Sequence, residues 1–431
     1  MKKVKLDLSD KKGFDQLIRR KNISFENVES DVRNILKEVK TRGISAVINY
    51  SKKYDGFSGS SANIKVSQDE IESATKNITQ EIRAAIDIAY RNIKKFHEKQ
   101  LPTNYETEIT KGIVCGRKFT QIENVGLYIP GGTAPLPSTV VMLAIPAKLA
   151  GCDRIVLATP SKNNKIDDVI LYAAAICGID EIYKVGGAQA IAMLGYGTSL
   201  NDKVDKIFGP GNQYVTKAKM LISNDAEGCA IDMPAGPSEV LIIADKHANP
   251  RFIAADYLSQ LEHGNDSQAI LVTDSESLIA GVEREINSQL LNLNRLEYIK
   301  HSLEYSLLIK SDNMGDAIFF SNKYAPEHLI INTSKPHDIF SKVKNAGSVF
   351  LGGYTPESAG DYASGTNHSL PTSGFASSYS GLGVESFMKA TTYQYITQDG
   401  IRSLSDTIIT LAGAEGLDAH ANAVKVRLSH D

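Results

Sequence analysis

The sequence predicts an α/β protein: two parallel-sheet units in tandem, preceded by a helical region and followed by a small C-terminal appendage. Three observations carry this reading. From Val125 onward, short β-branched apolar runs alternate with helical stretches: RIVLATP (154–160) precedes KIDDVILYAAAICG, EIYKVGG (181–187) precedes AQAIAMLGYG, and KIFGPG (206–211) precedes NQYVTKAKMLIS. That is the strand–turn–helix rhythm of a parallel sheet with helices on its faces. The rhythm then starts again after DMPAGPSE (232–239), which places a seam near 233–238. Finally, a chain of 431 residues, 42% hydrophobic and 23% charged, is long enough for more than one core.

Residues 1 to about 110 read as mostly helical, because ENVESDVRNILKEVKTRG and QEIRAAIDIAYRNIKKFHEKQ carry apolar residues at helical spacing on charged backgrounds. Beyond the seam, EVLIIAD (239–245) leads into the helix PRFIAADYLSQLEH, which Gly264 ends. Gln260 and His263 stand three apart and so share one face of that helix end. The apolar runs SQAILVTD, SLLIKSD, HLIINTS and SVFLGG (348–353) follow, separated by helices. The tail from about 381 holds two helices, too few elements for an independent α/β domain, so it should pack on something else.

Charge and composition narrow the function classes. The formal net charge is −3, which gives no nucleic-acid footprint. Cys115, Cys152, Cys177 and Cys229 lack CxxC or any other metal spacing, so reduced thiols in a cytoplasmic protein are expected. The N-terminus MKKVKLDLSDKKG has no apolar core of a secretory leader, and no window approaches 18 apolar residues, so no membrane span is expected.

Three glycine turns, YIPGGTAPLPST (128–139), VGGAQA (185–190) and FGPGN (208–212), each follow a short apolar run. Glycine lets backbone approach a phosphate, and a following helix N-terminus offers free N–H groups. None is a complete GxGxxG, and GLGVES (381–386) lacks its third glycine. Singly each is a tight turn; three at the carboxyl ends of strands in one sheet mark where open α/β sheets bind ligands. In YAPEHLII (324–331), Glu327 and His328 read either as a solvated pair or as a general base beside a carboxylate that orients water. AGDYASGTNHSLPTSG (359–374) puts Asp361 and His368 in a small-residue loop suited to binding polar groups. GAEGLDAHANAV (413–424), with Glu415 and His420, reads by itself as a surface helix. Gln260, His263, Asp361 and His420 together make an O, N, O, N set that suits zinc or manganese.

Seven phrases in order, VGLYIPGGTAPLPSTVVM, KIFGPGNQYVTKAK, MPAGPSEV, SQLEHGNDSQ, NKYAPEHL, GDYASGTNHSLPTSG and AEGLDAH, make the chain from about 25 to 428 resemble the histidinol dehydrogenase family. The resemblance implies a fold of two incomplete Rossmann-like units with parallel sheets. It divides the chain into an N-terminal helical arm (1–25), a substrate and zinc domain (26–124 with 236–380), an NAD-binding domain (125–235) and a C-terminal domain (381–431) that reaches the partner's active site. It implies a cytoplasmic homodimer with one Zn²⁺ per subunit that oxidises L-histidinol through L-histidinal to L-histidine and reduces two NAD⁺. By the same resemblance Gln260, His263 and Asp361 match zinc ligands, with His420 supplied by the partner's tail. His328 matches the general base and Glu327 the group that activates water. Ser238, His368 and Glu415 match substrate contacts, and Tyr128, Gln189 and Asn212 match NAD contacts.

Two other classes compete. A zinc- and NAD-dependent relative acting on another alcohol, such as a sulfonated diol, would meet its anion with arginine or lysine rather than Glu415 and His368. A nucleotide-binding module without chemistry would not need the Glu327–His328 pair.

Overall fold

The computed structural model describes residues 1–20, 26–131, 135–233 and 236–429; the side chains of Glu26 and Asn27 lie outside that description. Gly132, Thr133 and Ala134 of the first glycine turn, and Pro234 and Ala235 of the seam, therefore fall outside it.

The apolar runs become two parallel sheets. The first has six strands in the order Lys2–Lys5, Leu307–Lys310, Gln268–Thr273, Glu239–Ala244, His328–Asn332, Ser348–Leu351, and every neighbouring pair is parallel. The second has five, in the order Glu181–Lys184, Arg154–Thr159, Asn124–Tyr128, Lys206–Phe208, Ala230–Ile231, again all parallel. Glu239–Ala244 and His328–Asn332 are buried along their whole length. Covered faces on both sides explain why EVLII and HLII are continuous apolar runs rather than alternating ones.

Chain order reverses beside Glu239–Ala244 in the first sheet and beside Asn124–Tyr128 in the second. Such switch points open a crevice between diverging connections. The three glycine turns leave the carboxyl ends of Asn124–Tyr128, Glu181–Lys184 and Lys206–Phe208. At Gly209 the backbone has φ +121°, and a Cβ there would collide with the carbonyl oxygen of Tyr128. Only glycine satisfies both demands.

A third, antiparallel sheet joins Tyr105–Thr110, Ile113–Gln121 and Met388–Ile396. This departs from the sequence reading, which ran helix to about 110 and saw only helices in the tail. The two expected tail helices are present, as Gln398–Ala414 and Asp418–Leu428. The overlooked cue is the Lys111–Gly112 turn, with Gly112 at φ +79°, between Thr-, Tyr- and Ile-rich flanks. The arm also differs: Lys2–Lys5 is an edge strand paired with Leu307–Lys310, followed by the helix Lys11–Ile18. Its three lysines are exposed at the sheet edge, a composition that discourages further strand pairing.

The helices of 26–97 pack on the five-stranded sheet. Val32, Ile35, Leu36, Val39, Ala46 and Val47 are buried against Tyr128, Val156 and Ile191 on one side of the five-stranded sheet. Ile71, Ala74, Ile86 and Ile93 join the core that contains Val125, Leu127 and Leu157. Strand pairing likewise ties 105–121 to 388–396. An amphipathic pattern shows that a helix buries one face but not which sheet receives it. The arm, by contrast, packs Phe14, Leu17 and Ile18 on the six-stranded sheet's core with Leu241, Phe320 and Leu329.

Leu36→Ala should therefore cost about 2–5 kcal/mol. Chemical denaturation monitored by circular dichroism measures this, with hydrogen exchange expected to loosen the five-stranded sheet before the six-stranded one. A loss below about 1 kcal/mol would mean that this helix does not seal that core.

Candidate active site

A cavity of about 550 Å³ lies where the two sheets face each other. Pro130, Gly209, Gly211 and Asn212 reach it from carboxyl ends of the five-stranded sheet. Ser238, Glu327 and His328 reach it from amino ends of the six-stranded sheet. His263, Asp361 and His368 complete it from loops and the short helix Glu357–Tyr362.

Parallel register makes the centre of the site. His328 pairs with Val240, so the peptide of Glu239 lies beside the Glu327–His328 pair. The Glu239 N–H donates to Glu327 Oε2 at 2.8 Å, and the Glu239 carbonyl stands 3.3 Å from His328 Nδ1. A carbonyl can only accept, which places the proton of a neutral His328 on Nδ1. Nε2 is then the lone-pair nitrogen; it is buried without a hydrogen-bond partner among the described residues and lies 3.7 Å from Asp361 Oδ1. Burial lowers the His328 pKa to about 3, and His263 and His368 add to the shift. The ring is neutral at physiological pH and offers a free base to the cavity.

Around it stand buried acids. Glu357 Oε1 lies 3.6 Å from His328 Nδ1, and Glu327 Oε2 is equally close. Burial pushes Glu327 and Glu357 well above the usual carboxylate range, with Asp361 reinforcing both; it raises Asp361 to about 7. Asp256, one helical turn before Gln260, is also raised to about 7 by burial. The ligand atoms of His263, Glu357 and Asp361 all lie within 4.8 Å of one another. Gln260 is fully buried, and its carboxamide nitrogen donates to Glu357 Oε1 at 2.8 Å and Oε2 at 3.2 Å. Crowded buried carboxylates without a cationic partner are costly, and a divalent cation among them would reverse these shifts. The donor set, imidazole, carboxylate and amide oxygen, suits a borderline metal ion.

The expected residues divide into two groups. Ser238, His263, Glu327, His328, Asp361, His368 and Asn212 line the cavity, with Gln260 behind them against Glu357. His368 is fixed by contacts of its Nδ1 with the Asp361 carbonyl (3.0 Å) and its Nε2 with Thr139 Oγ1 (3.3 Å). Burial brings it down to about 4. Asn212 caps the helix Gln213–Ser223 by accepting from the N–H groups of Tyr214 and Val215. Tyr128 and Gln189 do not line this cavity. The Tyr128 hydroxyl accepts from Gly187 N at 3.1 Å, and Gln189 Nε2 donates to Asp55 Oδ2 at 3.0 Å, so both hold the second glycine turn. Glu415 and His420 are exposed on the C-terminal helices and do not reach the cavity of their own chain.

Sequence reasoning missed Glu357, Asp256, Lys219 and Glu239. The pairs Asp256/Gln260 and Glu357/Asp361 are each four apart, the spacing of one helix face, and that cue was available. Lys219 is buried, donates to the Gly209 carbonyl at 2.7 Å and pairs with Asp232, whose Oδ2 accepts from Gly209 N at 2.8 Å. It pins the third glycine turn from a helix where the sequence shows only an ordinary lysine.

The comparisons with known proteins agree with one another. The histidinol dehydrogenase family profile matches residues 18–428. Histidinol dehydrogenase of Aliivibrio fischeri is 49% identical over 421 residues, covering 98% of this chain and 95% of its own. That of Campylobacter jejuni is 50% identical over 423 residues, covering 98% of each. The crystal structure of histidinol dehydrogenase from Elizabethkingia anophelis superposes with a TM-score of 0.94 at 47% identity, covering 99% of this chain and 98% of that one. A base-bearing cavity at the junction of two parallel sheets, in a chain matched along nearly its whole length, places this protein in the histidinol dehydrogenase family.

Proposed function

We propose that this NAD-dependent dehydrogenase oxidises L-histidinol through L-histidinal to L-histidine at the cavity between the sheets, in the cytoplasm, as the closing steps of histidine biosynthesis. The observation that carries the reading is the buried Nε2 of His328, which has no hydrogen-bond partner among the described residues and belongs to a neutral ring lining a polar cavity.

His328 Nε2 takes the hydroxyl proton as the carbinol hydride passes to NAD⁺. Its Nδ1–H, held by the Glu239 carbonyl, keeps the ring in the tautomer that can accept. Glu327, fixed through Oε2 by the Glu239 N–H, takes a proton from the water that adds to the aldehyde; a second hydride transfer then gives the acid. Ser238 and His368 line the pocket wall where the substrate's polar groups bind. The buried site also shields the reactive amino aldehyde from bulk water between the two oxidations. NAD⁺ is assigned to the glycine turns, with Asn212 at the cavity and Tyr128 and Gln189 shaping the turn at Gly186–Gly187.

Gln260, His263 and Asp361 would hold Zn²⁺, with Glu357 orienting the Gln260 amide from behind. Bound there, Zn²⁺ would anchor the nitrogens of the substrate and neutralise the surrounding acids. His420 would come from the tail of a second copy, and Glu415 beside it would contact substrate. Two facts support that assignment: both residues are exposed away from their own cavity, and the antiparallel sheet and tail expose Tyr105, Ile109, Tyr395 and Leu411. Exposed large apolar side chains on these elements suit a subunit interface.

Three outcomes test the reading. Purified protein should release two NADH per L-histidinol consumed, with histidine as product, followed by absorbance and chromatography; no NADH from folded, zinc-loaded protein would sink the assignment. Chelation should abolish turnover and added Zn²⁺ should restore it, whereas full activity after verified metal removal would rule zinc out. His420→Ala and His328→Ala should each be inactive, while their equal mixture, after subunit exchange, should recover about a quarter of wild-type activity, because half the dimers then hold one intact site. No recovery in confirmed mixed dimers would mean that sites are not shared.

A further inference from the structure

We propose that Arg20, on the N-terminal arm, is a positioning residue that aligns Glu327 and His328 through Glu239; this rests on the catalytic roles given to that pair above. The chain of contacts is short. The Glu239 peptide grips both residues, its N–H on Glu327 Oε2 and its carbonyl on His328 Nδ1. The Glu239 side chain is almost fully buried and is met by a two-pronged guanidinium: Arg20 Nε donates to Oε2 at 2.9 Å and Nη2 to Oε1 at 2.7 Å. Arg20 Nη2 also lies 3.3 Å from the Ala325 carbonyl, and the guanidinium stacks 3.6 Å above the Tyr324 ring. The Tyr324 hydroxyl lies 3.2 Å from Glu239 Oε2 and 2.7 Å from Gln268 Oε1.

Ala325 adds a second argument. It holds the left-handed conformation, φ 50° and ψ 66°, as the cap of the helix Met314–Tyr324, two residues before Glu327. A residue with a Cβ adopts that conformation only where its surroundings enforce it. Arg20 supplies such enforcement, since one guanidinium fastens the turn that delivers Glu327 and the strand end that receives it. Lysine cannot reproduce the fork and the stacking together. Without the guanidinium, the buried Glu239 carboxylate keeps only the Tyr324 hydroxyl and loses its charge partner, which loosens the strand end.

The arm does not depend on Arg20 for its place. Lys2–Lys5 pairs with Leu307–Lys310, and Phe14 packs on Phe319 and Phe320 at ring-centroid distances of 5.7 and 5.9 Å. Arg20 also lines a separate cavity of about 540 Å³ between the arm and the sheet, with room for a guanidinium ion.

The test uses the full-length, zinc-loaded enzyme. Arg20→Ala should lower kcat for histidinol by about 10–100-fold with KM nearly unchanged. Millimolar guanidinium chloride should restore part of the loss in Arg20→Ala and none in wild type. Arg20→Lys should fall between the two. Glu239→Gln should reduce kcat similarly, and the double variant should lose little more than either single one, because the two residues act as a unit. Independent losses that multiply, or an Arg20→Ala kcat within about twofold of wild type, would overturn the proposal. The ¹⁵N resonances of His328, assigned by their absence in His328→Asn, report the ring tautomer without substrate. They should show one Nδ1–H tautomer in wild type and exchange between tautomers in Arg20→Ala and Arg20→Lys. Identical spectra would overturn the proposal. Wild type inert on histidinol would sink the functional reading, while the spectra would still decide on Arg20.

Discussion

The peptide of Glu239 holds two side chains at once, and the site is organised around that grip. Its N–H fixes the Glu327 carboxyl and its carbonyl fixes the His328 ring. Both contacts exist because Glu239–Ala244 and His328–Asn332 are neighbouring parallel strands whose register sets His328 against Val240. A one-residue slip would turn His328 to the opposite face of the sheet. The long apolar runs that bury these strands are therefore not only core: they set the register that sets the tautomer of the base.

Around that grip the electrostatics are severe. Glu327, Glu357, Asp361 and Asp256 are all buried near one another, and the nearby imidazoles of His328 and His368 are driven toward neutrality. Burial disfavours every charge in the cluster, so a free base and a nest of acids coexist in a protein of nearly neutral net charge. The same desolvation that makes the cluster costly makes a cation welcome there. Perturbed groups facing one cavity mark a functional site on physical grounds, apart from any kinship.

Much of this was legible in the chain. The strand–turn–helix rhythm, the restart after residue 239, the glycine turns and the Glu327–His328 dipeptide all follow from local pattern, and local pattern is what backbone sterics and periodic burial impose on a sequence. Short edge strands such as Lys2–Lys5 escape such reading, because a charged four-residue strand has neither the length nor the apolar alternation to declare itself. Glu357 and Lys219 escape for another reason. A buried glutamate or lysine looks like a solvated one until its partners are known, and theirs lie on other segments.

The sequence by itself determined the fold class, the family, the alternating strands and helices from Val125 to about residue 353, and the Glu327–His328 pair. Only the tertiary structure decided that the helices of 26–97 cover the five-stranded sheet, that Tyr128 and Gln189 brace a turn rather than line the cavity, and that Glu239 joins the arm to the base. The reason is the range of the forces. Helix and strand periodicity are settled within a few residues, whereas the partner of a buried face or charge is chosen among all surfaces that the folded chain brings together, here across 219 residues between Arg20 and Glu239.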